Sequence, residues 1–148
     1  MARITGINHT SFTVSDLDKA VAFFRDVLGA TVLSVADRPK DFSERVTGVP
    51  GAHLYIGYVE LGGHKIELIQ YLEGQGTTLD VSTNNVGSGH ICFNVDDARA
   101  LQRELQAKGV RFVSEPMEIP IGTNKGGFAT YFKGPDWITI EFIQPPAR

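Results

Sequence analysis

The chain has 148 residues, 42% hydrophobic and 21% charged, with a formal net charge of −3; that is enough for one ordinary domain or two small units, and too apolar to stay disordered. Lys and Arg are scattered, so no basic stripe offers itself to a phosphate backbone or an anionic lipid surface, and neither nucleic acid nor a membrane is an expected partner. The start MARITGINHT lacks the charged and apolar segments of a secretory signal, and no run of about 18 apolar residues follows, which points to a cytoplasmic protein. The lone Cys92 excludes intrachain disulfides and thiolate clusters, so any metal must be held mainly by His and carboxylate.

In chain order, residues 4–14 alternate as a strand. Ser15 with Asp18 reads as a capping box for a helix over 16–28, whose Leu17, Ala20, Val21, Phe24 and Leu28 fall at helical spacing before Gly29 closes it. Residues 30–36, 53–61 and 64–72 read as strands from their Val, Ile, Leu and Tyr content, with Gly62-Gly63 as the hairpin turn between the last two. The insertion 37–52 has Asp41 and Glu44 placed to cap a short helix, and the Gly-, Ser-, Thr- and Asn-rich stretch 73–88 reads as a linker. A strand over 89–95 follows, then Asp96 as N-cap of a helix over 97–108 with Ala98, Leu101 and Leu105 inward, and Gly109 as its C-cap. Strands over 110–115, 127–133 and 137–144 complete the chain, with a Gly-rich insertion at 118–127 and a Pro135-Asp136 turn.

The order repeats. The segment beginning His9-Thr-Ser-Phe12-Thr-Val14 reappears 81 residues later as His90-Ile-Cys-Phe93-Asn-Val95, and Lys65-Ile-Glu67-Leu-Ile returns 74 residues on as Thr139-Ile-Glu141-Phe-Ile. This predicts an α+β fold of two tandem βαβββ modules, 4–72 and 89–144, within a single domain over 1–148. Successive strand side chains point to opposite faces. Phe12 and Val14 therefore oppose His9, Ile91 and Phe93 oppose His90, Ile66 and Leu68 oppose Glu67, and Ile140 and Phe142 oppose Glu141. With helices outside a curved mixed sheet, these two His and two Glu are expected to line one hollow. Two imidazoles and two carboxylates suit one divalent ion (Ni, Zn, Co, Mn or Fe) in an open, catalytic site.

These residues resemble those of the vicinal oxygen chelate superfamily, whose members include glyoxalase I, methylmalonyl-CoA epimerase, extradiol dioxygenases and bleomycin resistance proteins. The resemblance spans 4–144 and is carried by Ile7-Asn-His9 with its following helix, by Gly89-His-Ile-Cys-Phe-Asn-Val-Asp96, and by Gly134-Pro-Asp-Trp-Ile-Thr-Ile-Glu-Phe142, which is similar to the family's terminal hairpin. It implies a glyoxalase-like fold around a metal cleft, a homodimer, and metal ligands at His9, Glu67, His90 and Glu141.

The expected chemistry is proton transfer on a small molecule whose adjacent oxygens chelate the ion, the metal acting as Lewis acid and a carboxylate as base. Glu141 is the first choice for that base and Glu67 the second. Tyr55 is expected near the substrate if its strand faces the hollow, and Cys92 shares the face of His90. In the loop 122–127, Thr123, Asn124, Lys125 and backbone N–H groups are candidates to meet an anionic substrate. Lyase, isomerase or epimerase chemistry leads; a ring-cleaving Fe(II) or Mn(II) dioxygenase and a metal-free drug-binding protein remain open alternatives.

Overall fold

The computed structural model describes residues 1–147. The chain divides into two compact units, Met1–Thr77 and the residues from Thr78 onward, and each has its own sheet. The fold is α+β in both.

The first unit runs β1 (Thr10–Thr13), α1 (Leu17–Ala22) prolonged by a π-helical turn over Phe23–Val27, β2 (Thr31–Asp37), α2 (Lys40–Thr47), β3 (His53–Leu61) and β4 (His64–Glu73). Its sheet has the order β1-β4-β3-β2, with β1 parallel to β4 and the remaining pairs antiparallel. The second unit runs β5 (His90–Asn94), α3 (Ala98–Ala107), β6 (Arg111–Phe112), β7 (Met117–Glu118), β8 (Phe128–Lys133), a 3₁₀ turn over Pro135–Trp137, and β9 (Thr139–Gln144). Here the order is β5-β9-β8-β6, with β5 parallel to β9 and the short β7 also on β8. In each unit the first strand lies beside the last, and a parallel pair of this kind needs a crossover connection.

Helices cover one face of each sheet. Leu17, Ala20, Val21 and Phe24 are buried with Val59, Ile66 and Leu68 in the first unit, while Ala98 and Leu105 are buried with Phe132, Ile140 and Phe142 in the second. Each large side chain taken fully from water contributes about 1.5–3 kcal/mol. Phe112, Phe132 and Phe142 stack with ring centroids 4.8–6.4 Å apart. Gln102, on the inward side of α3, is buried as well; its amide and the Thr130 hydroxyl both donate to the Ser114 carbonyl at 2.9 Å.

Several element boundaries differ from expectation. The first strand begins at Thr10 rather than residue 4, and Ile4 and Ile7 are exposed. The helix caps lie one residue later than expected: Asp16, not Ser15, accepts from Lys19 N, and Asp97, not Asp96, accepts from Ala100 N. The reason is non-local, since Gln70 Oε1 takes the Leu17 N–H at 2.8 Å and Gln144 Oε1 takes the Ala98 N–H at 3.0 Å. Each strand that carries a repeated Glu thus binds the first N–H of the helix that follows its unit's first strand, through a Gln three residues beyond the Glu. Helix α2 forms as expected, but its N-cap position is Pro39 and Asp41 lies inside its first turn. The expected strand 110–115 shortens to β6, and β7 forms beyond it at Met117–Glu118, after Pro116, which has no N–H for a ladder bond.

Two glycines are required by close approach. A Cβ on Gly57 would lie 2.8 Å from Val21 Cγ2, and one on Gly127 would lie 2.3 Å from the Gln144 carbonyl oxygen.

Candidate functional site

In the first unit, the register Ser11↔Glu67↔Tyr58 across β1, β4 and β3 puts Glu67 on the face away from α1. His9, two residues before Ser11, joins it: His9 Nε2 lies 3.2 Å from Glu67 Oε2. The Tyr58 hydroxyl donates to Glu67 Oε1, and the rings of His9 and Tyr58 meet edge to face with centroids 5.6 Å apart. Glu67 is only 7% exposed.

The second unit repeats the arrangement. Cys92↔Glu141↔Tyr131 is the matching row across β5, β9 and β8. His90 Nε2 lies 3.1 Å from Glu141 Oε2, and the His90 and Tyr131 ring centroids are 5.3 Å apart. One row along, His90, Thr139 and Lys133 line up, with Lys133 Nζ donating to the Thr139 hydroxyl at 2.7 Å.

Each half supplies one imidazole and one carboxylate, two of the donors that a divalent cation takes. His9 Nδ1 is 2.9 Å from Asn8 Oδ1; an amide oxygen only accepts, so this contact suits the tautomer with the proton on Nδ1, which leaves the Nε2 lone pair toward Glu67. Two lone pairs facing each other repel unless a proton or a metal ion is shared between them. A hydrogen bond from the second ring nitrogen is also the support that a metal-binding imidazole needs. Donors 3.1–3.2 Å apart subtend about 100° at an ion roughly 2.1 Å from each, a normal angle between neighbouring ligands. Among the described residues, no three or more His, Cys, Asp or Glu are gathered so as to hold a metal ion; the structure brings His9 to Glu67 and His90 to Glu141 as two pairs.

The neighbours of the carboxylates are neutral donors. Burial, then the hydrogen bond to Glu67, pushes the Tyr58 hydroxyl up to about 12, so it stays protonated at neutral pH. Desolvation, then the Glu141 carboxylate beside it, pushes the Cys92 thiol up to about 12. It is a weak donor in this row and an inert nucleophile. Tyr131 is raised as well, by burial first and by Glu141 second.

Tyr55 is corrected. Tyr58 shares the Glu67 face, so Tyr55, three residues away, points to the opposite one. There its hydroxyl donates to Asp18 Oδ1 of α1 at 3.3 Å, and its partner Gln70 serves the helix N-terminus. Tyr58 and Tyr131 are the residues missed by sequence reasoning. The loop expectation is also narrowed: the N–H groups of Lys125, Gly126 and Gly127 donate to Gly122, Ile119 and Asn124 within the loop, so they are not presented to a ligand. Thr123 and Lys125 are exposed and Asn124 is half-buried. His64 is half-buried and bonded to the Thr10 hydroxyl at 2.9 Å.

Comparison with known proteins places this architecture. Residues 6–142 match the family model of the Glyoxalase/Bleomycin resistance protein/Dioxygenase superfamily, and the chain belongs to that superfamily. It is 33% identical over 115 residues to mouse mitochondrial methylmalonyl-CoA epimerase, an alignment covering 76% of this chain and 58% of the mouse protein. It is 32% identical over 146 residues to a 2-epi-5-epi-valiolone epimerase from Actinomyces, covering 95% and 80%. A probable lactoylglutathione lyase from Synechocystis is 29% identical over 140 residues, with 95% of both chains covered. Among solved structures, a glyoxalase family protein from Bacillus cereus superposes with a TM-score of 0.81 at 23% identity, covering 99% and 97%. The fosfomycin resistance protein FosX from Listeria monocytogenes, complexed with Mn(II) and sulfate, gives 0.63 at 21% identity, covering 96% and 93%. The relatives are thus epimerases and lyases. Among the described residues, no helix is long and apolar enough to cross a membrane.

Proposed function

We propose that the protein is a divalent-metal-dependent enzyme that moves a proton on a small molecule with two adjacent oxygens, as an epimerase, isomerase or lyase. The observation that carries this reading is the recurrence of one constellation in both units: a His and a Glu 3.1–3.2 Å apart with a Tyr opposite the Glu. His9, Glu67, His90 and Glu141 would hold one ion per chain. A structural repeat alone has no need to keep paired imidazoles and carboxylates on the face away from the helices, where burying charge costs free energy without a partner.

When bound, the ion supplies Lewis-acid polarisation of the substrate oxygens beside the carbon that loses its proton. Glu141 removes that proton; returning it to the adjacent carbon would isomerise the substrate, and delivery of a solvent proton to the opposite face of the planar carbon would invert it. Glu67 stays in place as a ligand, and Tyr58 and Tyr131, both protonated at neutral pH, stand opposite the two carboxylates. The epimerases among the relatives favour return to the same carbon.

The test is solvent deuterium exchange into candidate substrates with the metal-loaded protein, in parallel with oxygen uptake. Acyl-CoA epimers, 1,2-dicarbonyl hemithioacetals and catechols cover the classes. Exchange at the substrate carbon without oxygen consumption supports proton transfer; stoichiometric oxygen uptake would replace it with dioxygenase chemistry. Metal-free binding of a large aromatic drug without turnover would replace both with sequestration. A homodimer is part of the proposal, and sedimentation giving a monomer at tens of micromolar would remove that part.

A further inference from the structure

The two oxygens of Glu67 have different partners: Oε2 faces His9 Nε2 at 3.2 Å, and Oε1 accepts the Tyr58 hydroxyl. Tyr58 is itself held. It sits in the middle of the β3–β4 ladder, directly opposite Glu67, its ring edge lies against His9, and the Lys65 ammonium stands 5.5 Å from its ring centre. A carboxylate tied in this way cannot turn about its terminal torsion without breaking that hydrogen bond, and it has only one oxygen to offer an ion. Glu141 is placed differently. Where Glu67 has Ser11 beside it in the row and the Tyr58 hydroxyl bonded to it, Glu141 has Cys92 beside it and Tyr131 opposite and divides its interaction between that thiol and that hydroxyl, a thiol being a weaker donor than a phenol.

We propose that Tyr58 is a positioning residue: it commits Glu67 to the ion as a fixed, one-oxygen ligand, and so leaves Glu141 as the carboxylate that carries the proton. This rests on the assignment of His9 and Glu67 as metal ligands.

The experiment uses Co(II) alone as the probe, titrated into the metal-stripped full chain and followed by calorimetry and by the visible absorption of the bound ion. Tyr58→Phe keeps the ring and removes only the hydroxyl. It should weaken Co(II) binding by about 10-fold or more, the scale on which outer partners of metal ligands act, and should shift the absorption band. Tyr131→Phe should stay within about threefold of the parent, below that scale. In a Glu67→Gln background the effect of Tyr58→Phe should vanish, because the hydroxyl acts through the carboxylate; a general loss of structure would weaken binding in both backgrounds alike. Unchanged affinity and spectrum in Tyr58→Phe, equal weakening in the two tyrosine variants, or the same loss with and without Glu67 each overturns the inference. A parent that takes up no Co(II) overturns the proposed function and this inference with it, whereas a parent that binds Co(II) with Tyr58→Phe indistinguishable overturns this inference alone.

Discussion

The two units keep one face of their sheets alike and build the other differently. On the shared face, His9, Glu67 and Tyr58 correspond to His90, Glu141 and Tyr131 at the same ladder positions. On the helix face the partners exchange size. Where the first unit has Leu17 and Val21 on the helix and Gly57 on the strand, the second has Ala98 and Gln102 on the helix and Thr130 on the strand. Thr10 and His64, hydrogen-bonded to each other, correspond to the apolar pair Ile91 and Ile138. The hairpin turn before each Glu is Gly62-Gly63 in one unit and Asp136-Trp137 in the other, with positive φ at all four residues. A packed face accepts compensating exchanges as long as volume and hydrogen bonds are conserved. On the other face Ser11 and Cys92 differ beside the Glu, but the His, Glu and Tyr themselves have not been exchanged, which is what a shared chemical task would require.

The largest effect should come from breaking the likeness on the shared face. Glu141→Gln keeps an oxygen for the metal and removes the base, so turnover should fall by at least ~10²-fold while metal content persists; Glu67→Gln should instead lower metal affinity. Loss of metal in Glu141→Gln, with turnover restored by excess metal, would reverse the roles of the two carboxylates.

Next in size is an exchange across the helix face. Gly57→Thr gives the first unit the second unit's residue, but places a Cβ 2.8 Å from Val21 Cγ2. It should cost about 1–3 kcal/mol by urea denaturation. Val21→Ala in the same chain should recover part of that loss, so that the double variant is more stable than the two single costs added together. Strict additivity would mean that the helix and strand are not in the tight contact described.

The turn provides a smaller and opposite effect. Trp137 holds φ +63 with 58% of its surface exposed, at the position where the first unit has Gly63. Trp137→Gly should therefore raise stability by up to about 1 kcal/mol, the scale of strain relieved at a left-handed residue. It also removes the Arg111 guanidinium's contact with the ring, 5.8 Å from its centre, which sets the upper limit.

The smallest change is the polar pair. Thr10→Val leaves His64 Nε2 without the hydroxyl and should cost about 1 kcal/mol. Making both positions Ile, as in the second unit, should bring the chain back to within about 0.5 kcal/mol of the parent. A double variant less stable than Thr10→Val would show that this pair does more than fill the core.

The four His and Glu positions were legible because a strand repeats every two residues: Glu67 and Glu141 each stand between apolar neighbours, and the face follows from counting. Tyr58 was within reach by the same logic. With Gly62-Gly63 as a two-residue turn, Leu61 pairs with His64, and three further steps along each strand bring Tyr58 opposite Glu67; Tyr55 is three residues off and falls on the other face. The helix starts were not legible locally, because what settles them is Gln70 and Gln144 reaching from another strand. Nor was the split of β6 from β7, where the Ser114 carbonyl receives Gln102 and Thr130 from different elements.

The central claim is that matched His–Glu pairs in the two units serve one metal ion. Elemental analysis of the purified parent, His9→Ala and His90→Ala chains tests it most directly, with His53→Ala as the control. The account predicts one ion per chain in the parent and the control, and nearly complete loss in both histidine variants. One ion retained in either variant, or two ions per parent chain with one lost in each, would contradict it.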